Sequence, residues 1–580
     1  MSINRLESTS SNSLDLEPTY VPHEYNDRQS IYSNLQSIKS EVKFPVTRTE
    51  TQKSLIEKGL SSTIPTPGLN KAPVDDPIFP EEYTMETETG LVPLQLLELL
   101  GRTKTNKSFE EKAVNKNVQL VTFLPVDPEN PHNWNTLLRW YYTIVLALMV
   151  ISAAYGSSCL AGGLFTIEDK FKVSPVVSTL SVSFVVFGFA VGPLLWAPLS
   201  EQIGRRPVYI ISFGLYVIFN IPCALAKNIE TVLICRLLCG VFSASALTNV
   251  GASLVDLHDE TRSLAIAFFS FAPYSGPVLG AIVNGFISVG TNRYDLMIWV
   301  NMAFAGVMWI LVGLIPETYA PVILKRRAKK LRIETGDDSI MTEQELTPQT
   351  WKELINECLI RPLNFVITEP VLDLICAFIA LIYSLLYAFF FAYPVIFSEL
   401  YGYRDNIIGL MFVPIIIGAG LALTTTPVLE KKYAALIKRR PPQPEDRLIG
   451  AMIGSPFPCI ALFILGATSS PDIIWVGPAS SGIAFGYGMV LIYYSLNNYI
   501  IDTYAKYAAS ALATKVFLRS FAGGSFPIFT PQMYHNLGLR WASFLLAFIS
   551  LAMIPIPFAF YKYGKTLRSK LCKEDYTAYN

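Results

Sequence analysis

Charge is scarce through most of this sequence, so the charged side chains that interrupt apolar stretches mark where chemistry is possible. Arg236, in "CRLLCG", is one of them. Lys515 and Arg519 are two more, and their four-residue spacing places them on one face of a helix. An arginine at depth in a bilayer costs about 2.5 to 3.5 kcal/mol on insertion scales, so such a residue should face protein or a wet cavity. Arg236 has an alternative, because it stands close to one end of its apolar run and a long side chain there can snorkel to the interface.

Two further groups combine charge or glycine with tight spacing. The stretch "GPLLWAPLSEQIGRRPVYI" gathers Glu201, Gly204, Arg205 and Arg206 between apolar segments. Gly204 permits a sharp reversal, Pro207 suits the first turn of a helix, and Glu201 is within reach of either arginine. Asp256 and Arg262 bracket a similar charged turn in "VDLHDETRS". In "APYSGPVLGAIVNG", Gly276 and Gly280 share a helix face that admits a close neighbour, while Pro277 favours a bend. Aromatic faces and amides bind varied compounds without demanding one geometry, so Tyr155, Tyr383, Tyr387, Tyr487, Tyr493, Tyr494, Asn497 and Asn498 are candidates to line a cavity with Lys515 and Arg519.

The elements that must position these residues follow from composition. Of the 580 residues, 51% are hydrophobic and 16% charged, and the mean hydropathy is +0.37. That is the balance of a membrane protein, in which about 20 apolar residues cross a core of about 30 Å. Charge-poor runs predict twelve spans, near 139–163, 178–200, 207–226, 231–253, 263–288, 296–315, 372–398, 407–428, 447–469, 473–500, 507–533 and 540–562. The expected fold is therefore an all-α membrane protein of twelve transmembrane helices in two six-helix bundles. Its parts are a disordered cytosolic tail (1–120), an N-terminal bundle (121–315), a cytosolic central loop (316–371), a C-terminal bundle (372–563) and a cytosolic C-terminal tail (564–580). The tail has no signal-peptide core, so the first span is expected to direct insertion.

Lys and Arg gather in alternate connections, including Arg205, Arg206, Arg262, the 325–332 stretch and the 431–447 stretch, which predicts both termini on the cytosolic side. Paired six-helix halves around a midplane site are a recurrent plan of secondary transporters. The eight cysteines include no CxxC pair and read as small packing residues, with no metal implied.

The loop motif G-P-L-x-W-A-P-L-S-E-x-x-G-R-R-P resembles the signature of the major facilitator superfamily in its fungal form. "DPENPHNW", "PETYAPVILKRRAKKLRIETGD", "TEPVLDL", "PEDRLIGA" and "FPIFTPQMYHNLGLRWASFLLAF" resemble segments of its fungal drug:proton antiporters with twelve spans. The resemblance covers roughly residues 120–570. It implies that Glu201, Arg205, Arg206 and Asp256 latch the cytosolic side, with Arg262 close by. It also implies that Arg236 takes part in proton handling, and that Gly276, Pro277 and Gly280 form the antiporter motif, with Ala281 and Asn284 standing where fungal relatives usually have Pro and Gly.

These readings exclude a soluble enzyme. A membrane enzyme would need clustered His or acidic groups, and the four histidines are scattered. The "GKT" at 564–566 lacks the glycine of a phosphate-binding loop. The expected function is proton-coupled export of drugs and small organic molecules across the plasma membrane, the vacuolar membrane being an alternative address. Polyamine or other metabolite transport on the same fold is a second reading, and a transporter-like receptor without transport a third. Expected partners are a small-molecule substrate, protons and the lipid bilayer, with no cofactor, no nucleic acid and a monomeric protein. The spans hold no Asp or Glu at depth, which favours neutral, weakly charged or lipophilic compounds over polyamines. Asp373, Glu399 and Asp502 are the carboxylates expected at the rims.

Overall fold

The structure is a computed structural model that describes residues 91–93, 119–123, 127–258, 261–346, 353 and 356–572. The chain divides into two units. One comprises Met1–Leu124 and Arg327–Thr347, and the other Pro125–Arg326 and Pro348–Asn580. In the first unit, β1 (Leu91–Pro93) pairs antiparallel with β2 (Gln119–Val121), and β2 pairs parallel with β3 (Ile340–Met341). β1 and the start of β2 fall in the stretch read as a tail; most of that stretch, and residues 573–580, lie outside the described residues.

The second unit is helical. Its first six long helices are α1 (Thr136–Ser158), α2 (Pro175–Ile203), α3 (Arg205–Ala224), α4 (Ile229–Leu257), α5 (Arg262–Thr291) and α6 (Tyr294–Gly313). The next six are α7 (Pro370–Tyr401), α8 (Asp405–Ile437), α9 (Pro444–Thr468), α10 (Val476–Thr503), α11 (Ala508–Leu537) and α12 (Leu539–Leu571). Among the described residues, eleven of these meet the length and hydropathy of a membrane span. The exception is α11, a helix of 30 residues whose Lys515, Arg519, Gln532 and His535 lower its average, and on which Ala511, Thr514, Lys515, Val516 and Arg519 are buried. The last helix runs to Leu571, past the expected end near 562, because "YKYGKTLRSK" continues a helical pattern beyond the apolar run.

Local sequence sets the connections. A single residue, Gly204 at φ 101°, separates α2 from α3, and Gly538 at φ 79° alone separates α11 from α12. Asn135 caps α1, its Oδ1 accepting the Leu137 N–H at 3.1 Å.

The two halves repeat one packing scheme. In the first, α1 lies on α5, α2 on α4, and α3 on α4 and α6. In the second, α7 lies on α11, α8 on α10, and α9 on α10 and α12, each pair shifted by six helices. The halves meet chiefly along α2–α11 and α5–α8. Helix α7 is central, with 89% of its apolar window buried against 33% for α6 and α12, whose free faces are left for lipid.

Candidate functional site

A buried polar network crosses the seam between the halves. On the first half, Arg236 of α4 has no exposure to solvent. Its Nε donates to the Ser181 carbonyl at 3.0 Å, Nη1 to Cys159 Sγ at 3.3 Å and Nη2 to the Ser157 carbonyl at 3.3 Å. This settles the alternative for Arg236: the side chain turns inward to backbone acceptors and does not snorkel. Ser157 Oγ donates to the Ala154 carbonyl, so the Tyr387 hydroxyl, 2.7 Å away on α7, is the donor to Ser157. Tyr383 stands 3.4 Å from Tyr387, hydroxyl to hydroxyl.

Beyond Tyr383 the network becomes cationic. The Arg519 guanidinium lies 4.3 Å from the centre of the Tyr383 ring and donates from Nη1 to the Tyr493 hydroxyl at 3.1 Å. Lys515 Nζ sits 5.0 Å from the centre of the Tyr493 ring and donates to Asn497 Oδ1 at 2.6 Å. Tyr274 of α5 presses edge-on against Tyr493, ring centres 5.2 Å apart, and against Tyr383 at 6.1 Å. Arg519 and Lys515 are 1% and 4% exposed, and no carboxylate pairs with either among the described residues.

Six of the ten expected lining residues are thus brought together: Tyr383, Tyr387, Tyr493, Asn497, Lys515 and Arg519. The other four face elsewhere. Tyr487 packs its ring on Phe457 of α9, with the hydroxyl 3.3 Å from Thr425 on α8. Tyr494 belongs to a separate small cluster with Ile266, Ala267 and Leu423, and Asn498 donates to the Tyr494 carbonyl. Tyr155 stands in the α1–α5 seam, its hydroxyl accepting from Asn284 at 2.9 Å. A helix turns about 100° per residue, so a tyrosine stripe read without its partners fans over several faces.

That α1–α5 seam carries the glycine motif. A Cβ on Gly276 would stand 2.6 Å from the Ile151 carbonyl, and one on Gly280 would stand 2.9 Å from the Tyr155 carbonyl. Ser158 Oγ donates to the Pro277 carbonyl at 2.6 Å, tying the bent stretch of α5 to α1.

Two ion clusters lie at the face where α3 and α9 begin. In the first, Arg205 Nε meets Asp256 Oδ2 at 3.3 Å, Nη1 meets Ser200 Oγ at 2.5 Å, and the guanidinium stacks 4.7 Å from the Tyr319 ring centre. Burial, with Glu201 nearby, pushes the Tyr319 phenol up to about 12. The organising acid is Glu317, of "PETYAP": it accepts the backbone N–H groups of Arg205, Arg206, Thr318 and Tyr319 at 2.9 to 3.3 Å. A carboxylate at the start of α3 also meets the positive end of the helix dipole. Arg206 turns away and donates to the Gly313 carbonyl at 2.8 Å. Among the described residues, the ion pair to Asp256 comes from Arg205 and not from Arg262, at the start of α5.

The second cluster repeats the first in the other half. Arg447 meets Glu430 at 3.2 Å and Asp502 at 3.1 Å, and its guanidinium covers Tyr433 at 3.6 Å. Glu445 pairs with Arg568 from the end of α12. Asp502, expected as a rim carboxylate, is therefore held in this cluster. At the opposite face Glu399 pairs with His535 at 3.2 Å. Sequence reasoning missed Glu317, Glu430, Glu445 and Arg568; the signal was the acid in "PETYAP" and "PEDRLIGA", one proline-led motif in each half.

Two bundles built on one repeated scheme, a polar network buried at their seam and paired ion clusters at one face are the architecture of a multi-pass membrane transporter. The sequence model of the Major Facilitator Superfamily matches residues 146–527, and the chain belongs to that family. It is 56% identical to the multidrug transporter TPO3 of Candida glabrata, over 97% of this chain and 96% of that one. It is 55% identical to polyamine transporter 3 of Saccharomyces cerevisiae, over 99% and 98%. Among solved structures it is similar in fold to the xylose transporter XylE from E. coli in a partially occluded inward-open conformation. That match has a TM-score of 0.53 and 18% identity, and covers 74% of this chain and 98% of that one.

Proposed function

We propose that this protein is a proton-coupled exporter of drugs and small organic molecules, working as a monomer in the plasma membrane with both termini cytosolic. The face bearing the two ion clusters is then the cytosolic face. The observation that carries the reading is the aromatic and cationic network from Ser157 through Tyr387 and Tyr383 to Arg519, buried where the two halves meet. The 56% identity to a multidrug transporter over nearly the whole chain supports it. Rocking of one half against the other would part the Ser157–Tyr387 contact and open this layer to one side at a time.

Inverted plasma-membrane vesicles from cells that overproduce the protein test it. A lipophilic compound should accumulate only under an imposed proton gradient and be released by a protonophore. Binding without gradient-driven flux would leave the receptor reading in its place.

Polyamine transport is the second reading, favoured by two yeast relatives at 54% to 55% identity that are polyamine transporters. It also has a structural support. A cavity of about 230 Å³ between the halves, at the face opposite the ion clusters, is lined by the carboxylates Glu168 and Asp405 together with Phe390 and Phe412. Efflux of labelled spermine from loaded vesicles separates the two readings.

A further inference from the structure

We propose that the layer around Lys515 and Arg519 is an anion site, which takes the carboxylate of a small organic acid with its apolar body against the surrounding tyrosine rings. This rests on the transport reading above and names a substrate class for the same site. Two cations one helical turn apart repel each other, and desolvating each is unfavourable unless opposite charge takes over. Here both are almost wholly buried, and their protein partners are neutral: Tyr383, Tyr493 and Asn497.

The polar atoms left over include donors beside the Tyr274 hydroxyl, which can also accept. Arg519 Nε and Asn497 Nδ2 are buried without a hydrogen-bond partner. A lysine ammonium has three N–H donors and a guanidinium five, while the neighbouring protein acceptors are Asn497 and Tyr493 for Lys515, and Tyr493 and Tyr274 for Arg519. A site with net positive charge and surplus donors is complementary to a ligand with negative charge and only acceptors. A carboxylate has that character, and its two oxygens match the planar fork of an arginine. Tyr274, Tyr383 and Tyr387 supply faces and edges for a ring or alkyl body. An amine would meet repulsion from both cations with no carboxylate paired to either.

The test uses the full-length protein in liposomes with three probes: benzoate, its uncharged counterpart benzamide, and chloride. Benzoate should raise the unfolding midpoint and bind at least about tenfold more tightly than benzamide, the increment of one charge-assisted hydrogen bond. Lys515→Gln and Arg519→Gln should each reduce that ratio, and the comparison within the unaltered protein stands even if a variant folds poorly. Equal binding of benzamide and benzoate overturns the proposal. So does displacement of benzoate by chloride at equal concentration, which would mark a site for inorganic anions. Gradient-driven flux of a neutral compound alongside equal binding would sink the anion site and leave the transport reading standing. Tight benzoate binding without flux of any compound would do the reverse.

Discussion

The carboxylate of Glu317 lies against the α-carbon of Gly204, in the space a Cβ would occupy. The contact explains two sequence features at once. Gly204 sits at φ 101°, where side chains are strained, and its bare backbone lets Glu317 reach the first N–H groups of α3. We expect Gly204→Ala to cost more than the usual 1 kcal/mol or so of a left-handed alanine, because it also expels the carboxylate. Glu317→Ala should cost about 1 to 2 kcal/mol, as loss of a helix cap does. Both should increase labelling of single cysteines placed at this face. Unchanged labelling in both would refute the latch role of Glu317.

The repeat of the ion cluster in the second half gives a paired test. Asp256→Ala and Asp502→Ala each strip an arginine of an acidic partner, the buried Arg205 in one half and the partly buried Arg447 in the other. Each should shift the balance toward opening at this face and lower flux while membrane insertion persists. The two clusters share no residue, so their effects should add in the double variant. A double variant no worse than either single would show that only one cluster acts as a latch.

The glycine seam predicts a steric block. Valine at Gly276 or Gly280 would push α5 off α1, because the nearest atoms include the Ile151 and Tyr155 backbone carbonyls. Flux should fall at least about tenfold while expression is retained, since spans tolerate added apolar volume better than a moving seam does. Full flux in Gly276→Val would mean that α1 and α5 can separate without cost.

His258, just past α4, predicts a pH dependence. Burial, with Arg139 and His132 nearby, holds its imidazole down at about 4, against an ordinary value of 6.5. It bridges Thr143 and Thr261, at 2.7 Å each. Because the folded value lies below the unfolded one, the unfolded chain takes up the proton first as pH falls. Stability is therefore present above pH 6.5 and lost progressively from there toward pH 4. His258→Gln should flatten the unfolding midpoint across that window. An unchanged acid slope would assign it to another group.

The span pattern was legible because hydrocarbon thickness imposes length and composition on each helix almost independently of its neighbours. Helix α11 was found through its long uncharged flanks, even though Lys515 and Arg519 dilute its hydropathy. The loop motif grouped Arg205 with Asp256, and the two stand 3.3 Å apart in the structure. Partners from distant segments were not legible. Glu317 reaches Arg205 across 112 residues and Arg568 reaches Glu445 across 123, and no local spacing encodes such contacts. The tyrosines divide for the same reason: Tyr493 and Tyr494 are adjacent in sequence, yet one meets Arg519 and the other packs with Ile266.

The diagonal arrangement of the bridging pairs, α2 with α11 and α5 with α8, bears on what this protein can discriminate. If the halves pivot on the line joining those pairs, atoms near the line stay almost still while the two faces sweep widely. Arg519 stands on α11, itself one arm of that pivot, so its own side of the layer would move less than either face while the partner half swings away. Discrimination would then be set by charge and ring contacts rather than by girth, and compounds of very different size would compete for passage as long as their recognised ends were alike.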